Sequence, residues 1–209
     1  TILHTNDVHG FYIEDKYEGM GAAKLKTVFD MYKAANPNTL ILDAGDATQG
    51  SNLVTVSDGE KAIDVMNTLG YDVMTTGNHE FDYGQAILND RLEQANFPFI
   101  CDNVSGGTGK LGDIQGSTII TKDDFSIAFV GVVETGSPGG YPLTHPKKIQ
   151  GLSFTEGLDS FENYKDLKVN DNVDLIVALT HYGSYKDEEI LETYNFVDLV
   201  IGGHNNQEY

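Results

Sequence analysis

Arginine is almost missing from this chain. Its 209 residues hold one, Arg91, among 13 basic residues set against 32 acidic ones, for a formal net charge of −19. Binding to nucleic acid or to an anionic membrane draws on basic surface, so this balance sets both aside as partners. A single guanidinium also leaves little from which to build an arginine clamp on a phosphate or carboxylate. Cysteine is equally scarce. Cys101 stands alone, which excludes an intrachain disulfide and leaves the redox compartment open. No apolar run approaches the roughly 20 residues that span a bilayer, and no signal-peptide pattern opens the chain. The chain starts at Thr1 rather than Met, which reads as a processed or trimmed start. With so few basic residues and a pI near 4.4, we expect an extracytoplasmic protein: secreted, periplasmic or at a cell surface.

What is present is the composition of a soluble globular protein long enough to bury a substantial core, and 1–209 reads as one domain. The first hundred residues alternate short β-rich runs with helical periodicity. Strands are expected at 2–5, 40–42, 73–75 and 97–101, and helices at 21–35, from Asp58 as N-cap to Leu69, and at 85–94. That order argues for an α/β architecture with a largely parallel sheet. The middle differs: 102–117 reads as a loop, then 118–121 and 125–133 read as a hairpin. A second loop, 135–151, carries three prolines and reads as a crossover, with a place at the border of a pocket as the alternative. A helix at 155–167, a strand at 173–179, a helix at 185–194 and a strand at 197–201 complete the pattern.

Four of the six histidines, His9, His79, His181 and His204, directly follow expected strands, each among polar or glycine residues. A fifth strand end carries Gly45-Asp46. Ligands of α/β sheets bind outside the carboxyl ends of the strands, so these segments should converge on one rim of the sheet. Imidazole with carboxylate and amide oxygen, and no thiolate, suits Zn, Mn, Fe or Mg. Asp7 and His9, two apart on an extended segment, would point the same way and grip one ion together. Asp46 offers two oxygens that can bridge two ions, and Asn78 a neutral oxygen. The paired glycines before His204 let the backbone approach something closely. His79 and Asp82 also fit as caps of the helix that follows them.

These residues resemble a known family. Asn6-Asp7-Val8-His9-Gly10, Asp43-Ala44-Gly45-Asp46, Gly77-Asn78-His79-Glu80-Phe81-Asp82, Thr180-His181-Tyr182-Gly183 and Gly202-Gly203-His204 look like the successive blocks of the calcineurin-like metallophosphoesterases. The run from Asn78 to Gly84 looks like the branch containing 5′-nucleotidases and 2′,3′-cyclic-nucleotide phosphodiesterases. The resemblance implies a four-layer α-β-β-α sandwich with mixed sheets, truncated at its C-terminal end, and two divalent ions (Zn, Mn, Mg, Fe or Co). It implies one ion at Asp7, His9 and Asp46 and another at Asp46, Asn78, His181 and His204. The position of Asn206 resembles the His or Gln that completes the first site, one methylene shorter than Gln. Asn78 and His79 would meet the substrate, a nucleotide or other phosphoester, which a metal-activated water attacks. His79 resembles the catalytic histidine and Asp82 the carboxylate that orients it. A C-terminal substrate domain of the parent chain is also implied. The alternative is a domain that keeps the fold and the metal, or serves as an interaction surface, with little or no turnover.

Overall fold

The computed structural model describes residues 1–16 and 19–205. Strands β1 (Ile2–Thr5), β2 (Leu40–Asp43), β3 (Val73–Thr75) and β4 (Phe99–Ile100) lie side by side in that order, all parallel. Parallel neighbours require crossovers, and these are helical: α1 (Gly21–Ala35) after β1, α2 (Asn52–Thr55) and α3 (Glu60–Leu69) after β2, and α4 (Gln85–Gln94) after β3. Next come β5 (Val104–Ser105), α5 (Gly109–Gly112), β6 (Ser117–Lys122), β7 (Phe125–Val133), β8 (Ser153–Phe154), α6 (Gly157–Ser160), α7 (Leu167–Asn170), β9 (Leu175–His181), α8 (Ser184–Thr193) and β10 (Leu199–Gly202). Of these, β10, β9, β7 and β6 form a second sheet, parallel except for the antiparallel β6–β7 hairpin, while β5 pairs with β8.

The period-two alternation of strand side chains explains how the sheets stack. Leu40 and Leu42 of β2 meet Val177 and Leu179 of β9 in an apolar seam between the sheets, together with Val73, Phe129 and Ile201. The residues between them face outward. Ile41 packs toward Phe29 of α1 and Ile63 and Met66 of α3, while Ile176 and Ala178 pack toward Phe161 and Ile190. Both faces of both sheets are covered, which gives the helix, sheet, sheet and helix layers that the resemblance implied. It is also why the central strands read as unbroken apolar runs.

Several local expectations change. Asp58 does not cap α3; that role falls to Gly59, whose φ of 79° suits glycine. The strand expected over 97–101 shortens to Phe99–Ile100, since Pro98 has no N–H to give a ladder. The loop at 102–117 contains β5 and α5. The helix expected over 155–167 breaks into α6, a 3₁₀ turn (Phe161–Tyr164) and, further on, α7. The two sheets are those of the four-layer sandwich that the family resemblance implied, where periodicity alone suggested one largely parallel sheet, and the histidine-bearing strand ends come from both.

Candidate metal centre

The carboxyl ends of β1, β2 and β3 from one sheet, and of β9 and β10 from the other, meet at a common rim. The turns there are tight. Asp7 (φ 49°), His9 (φ 46°), Asp46 (φ 60°) and His204 (φ 85°) all adopt left-handed backbone, which non-glycine residues rarely enter. Asp7 and His9 are therefore not alternate residues of an extended segment. Left-handed positions on either side of Val8 turn the chain instead, held by Asp7 N–H to Gly45 O and His9 N–H to Asp46 O. Strain of this kind persists where the surroundings fix it, and it clusters at functional sites. The close approach foreseen from the glycines is real: a Cβ on Gly203 would lie 2.8 Å from Ala44 O and 3.0 Å from His181 Nδ1.

Two groups of donors result, Asp7–His9–Asp46 and Asp46–His181–His204, with ligand atoms in each within 4.8 Å of one another. Asp46 belongs to both. Its Oδ1 accepts the backbone N–H of His79 at 2.9 Å, and its Oδ2 lies 3.0 Å from His181 Nε2 and 3.9 Å from His9 Nε2. The imidazoles are set by backbone. His181 Nδ1–H donates to Ala44 O (2.7 Å) and His9 Nδ1–H to Gln49 O (3.0 Å), which turns each Nε2 toward the carboxylates as a lone-pair donor. The ring of His204 stands edge-on to that of His181, centroids 5.1 Å apart. Its backbone N–H donates to Asp7 Oδ2, which also accepts from Asn6 Nδ2. Asn78 is oriented by its amide Nδ2, which donates to Leu143 O at 3.0 Å.

Three donors are left bare by this arrangement. Asp7 Oδ1, Asn78 Oδ1 and His181 Nε2 are buried and make no hydrogen bond. Buried polar atoms are nearly always paired, so three orphans at one rim, all electron-pair donors, fit cations as the missing partners. Without a cation between them, the same carboxylates favour a proton on His181. Burial works against a charge on His181, yet Asp46 and Asp7 outweigh it and raise the ring's pKa to about 9. Burial also opposes ionisation of Asp46, but contacts from His181 and the His79 N–H hold it below the ordinary carboxylate value.

Beside the first group stands His79, its ring 5.3 Å from that of His9. It lies on a 3₁₀ turn (His79–Phe81), and its Nδ1–H donates to Asp82 Oδ2 at 2.6 Å. That bond raises the ring's pKa against the effect of partial burial. Neither residue caps α4, whose N-cap is Gly84. Asn206 lies outside the described residues.

The sequence reading assigned no role to Glu80, although it lies inside the Asn78–Gly84 run. Its side chain is buried, 2% exposed, and its carboxylate accepts from Asp46, Ala47, Thr48 and Gly77 N–H and from the Thr48 hydroxyl, at 2.7–3.1 Å. Burial and the charge of Asp46 push its pKa up, while the backbone N–H groups that donate to it favour the carboxylate. The one signal available was a charged residue wedged between His79 and Phe81. The reading of 135–151 as a plain crossover is also corrected. Leu143 and Thr144 bond directly to Asn78 and Asp82, and the loop borders the centre.

Comparison with known proteins agrees with this geometry. A family model described as calcineurin-like phosphoesterase matches residues 1–207. The chain is 34% identical to a 5′-nucleotidase of Bos taurus over 99% of its own length and 38% of the relative's. It is 32% identical to a snake venom 5′-nucleotidase of Gloydius brevicauda, over 99% and 37%. The chain thus spans well under half the length of these relatives. Among solved structures, the NAD nucleotidase of Haemophilus influenzae shares the fold, with a TM-score of 0.86 at 24% identity, covering 100% of this chain and 38% of that one. Motif order, two-sheet architecture and donor groups converge with these matches: the chain belongs to the calcineurin-like phosphoesterase family.

Proposed function

We propose that this chain is the phosphoester-hydrolysing domain of a 5′-nucleotidase-like enzyme, acting on nucleotide phosphate esters. The observation that carries the reading is the pair of donor groups sharing Asp46, with three buried donor atoms unpartnered, beside the His79–Asp82 pair. In this reading Asp7, His9 and Asp46 hold one divalent ion, with Asn206 as a further candidate, and Asp46, Asn78, His181 and His204 hold the other. The ions, when bound, supply Lewis acidity and positive charge at the phosphorus, which an acidic chain with one arginine otherwise lacks. The remaining work belongs to side chains. Asp82 fixes the proton on His79 Nδ1, so the opposite nitrogen of a protonated ring can donate to a phosphoryl oxygen or to the departing oxygen. Asn78 adds an oxygen without adding negative charge.

A nucleotide substrate rests on the names of the relatives, and the coverage near 38% supports a parent chain with a further domain that selects the nucleoside. The snake-venom relative supports an extracytoplasmic location; no helix among the described residues is long and apolar enough to cross a membrane. A second reading, a domain that keeps its metal without turnover, draws on the lone Arg91, which stands on α4.

One experiment separates them: bound metal and hydrolysis of p-nitrophenyl phosphate and adenosine monophosphate, measured for the chain and for His79→Gln with Mn²⁺. The variant should keep its metal and lose about a hundredfold or more in kcat. Metal retention without turnover in the parent chain would favour the second reading, and equal turnover in the variant would remove His79 from the chemistry.

A further inference from the structure

Asp82 can orient His79 only if its own carboxylate is held. Aspartate χ2 is a soft torsion, and an exposed carboxylate would trade its two oxygens freely. The structure shows what holds it: Thr144 Oγ1 donates to Asp82 Oδ1 at 2.6 Å, while Asp82 Oδ2 accepts from His79. Thr144 lies 62 residues further along the chain, in the loop after β7 and two residues before a 3₁₀ turn (Pro146–Lys148).

That segment is fastened. Glu134, 6% exposed and placed just beyond β7, donates its N–H to His181 O at 2.8 Å and closes its carboxylate on Gly136 N–H (2.6 Å) and Leu143 N–H. The chain between is tightened by Ser137 N–H to Tyr141 O and Thr144 N–H to Pro142 O. Having given its N–H to Glu134, Leu143 offers its carbonyl to the Asn78 amide. One strap therefore bonds to the amide that aims Asn78 Oδ1 and to the carboxylate that aims His79, and Glu134 anchors it to the backbone of His181.

We infer that Thr144 is a positioning residue for the His79–Asp82 pair, carried on a strap that Glu134 staples across the rim. The inference rests on the proposed hydrolase reading for its effect on turnover, but the contact itself can be tested without turnover. Removing the hydroxyl frees Asp82 to rotate and leaves the donor groups of the metal centre untouched.

The test compares Thr144→Val, which keeps shape and loses the donor, with Thr144→Ser, which restores it; Thr144→Ala serves if the valine variant folds poorly. Two readouts are taken on the 209-residue chain. The first is the downfield proton resonance of His79 Nδ1–H in the metal-free protein, assigned by its absence in His79→Gln. The second is Mn²⁺-supported hydrolysis of p-nitrophenyl phosphate, with Mn²⁺ affinity by calorimetry. In Thr144→Val the resonance should move or broaden and kcat should fall roughly tenfold, the loss of one hydrogen bond to a charged group, with KM and Mn²⁺ affinity nearly unchanged. Serine should restore both. An unchanged resonance and kcat in the valine variant would overturn the inference, as would a fall in Mn²⁺ affinity that serine does not repair. If the parent chain hydrolyses nothing while the resonance responds as described, the hydrolase reading fails and the positioning contact stands.

Discussion

At the scale of single residues, the centre is organised by atoms that carry no signature in sequence. That His181 and His9 act through Nε2 follows from the carbonyls of Ala44 and Gln49, and any residue brings a carbonyl. The side chains themselves were legible, because each histidine or aspartate breaks out of an apolar run into polar company. Their backbone was not: nothing in Asp7-Val8-His9 announces two left-handed positions, which tertiary contacts impose. Asp187 shows how the surroundings of a ligand affect stability. It is partly buried beside Thr180, whose hydroxyl donates to its Oδ1, and burial raises its pKa from 3.8 to about 6. A raised carboxyl pKa means the folded state holds a proton that the unfolded chain has released between pH 4 and 6. Ionisation therefore costs stability above pH 6, up to about 3 kcal/mol, and the cost fades as pH falls through that window. Asp187→Asn keeps the acceptor for Thr180 and should be the more stable protein at pH 7, with the gap closing by pH 4, in urea unfolding of the chelator-treated chain.

Among the elements, those defined by one local signal were read closely from sequence. The α4 span and the β6–β7 hairpin follow from periodicity and from a two-residue turn in which Asp123 takes φ 53°. The region 155–167 failed because Phe161 and its neighbours are buried by tertiary packing without a sustained helical period. Periodicity did not show the division into two sheets, which came from the family resemblance, for a related reason: an apolar strand face looks the same whether a helix or another sheet covers it. Glu80 belongs to this scale, since it ties the turn after β3 to the turn after β2. Glu80→Gln leaves one acceptor oxygen and sets an amide NH₂ against N–H donors. We expect a loss of about 2–3 kcal/mol in unfolding free energy, the cost of unmaking bonds to a buried charge. Weaker Mn²⁺ binding by calorimetry should accompany it, because the bonds lost begin at Asp46 N–H.

For the molecule as a whole, the surplus of acid is partly an account of the centre. Asp7, Asp46 and Glu80 are gathered within it, and divalent cations relieve that crowding only in the folded state. Mn²⁺ or Zn²⁺ should therefore raise the melting temperature in a concentration-dependent way. Each ion contributes about 2.7 kcal/mol at a hundredfold excess over its dissociation constant, and chelation reverses the gain. Scanning calorimetry with and without chelator measures it. His181→Ala should keep only part of the rise, since the first group does not include it.

The donor groups also differ in when they can exist. In a chain made from its N-terminus, Asp7, His9 and Asp46 are all present once β2 and the turn after it have been synthesised, whereas His181 arrives with β9 and His204 just after β10, well over half of the chain later. Asp46, shared between the groups, gains its second set of partners only when the second sheet docks. The order of the sheets along the chain thus sets a schedule: one half of the centre waits for the other to be born.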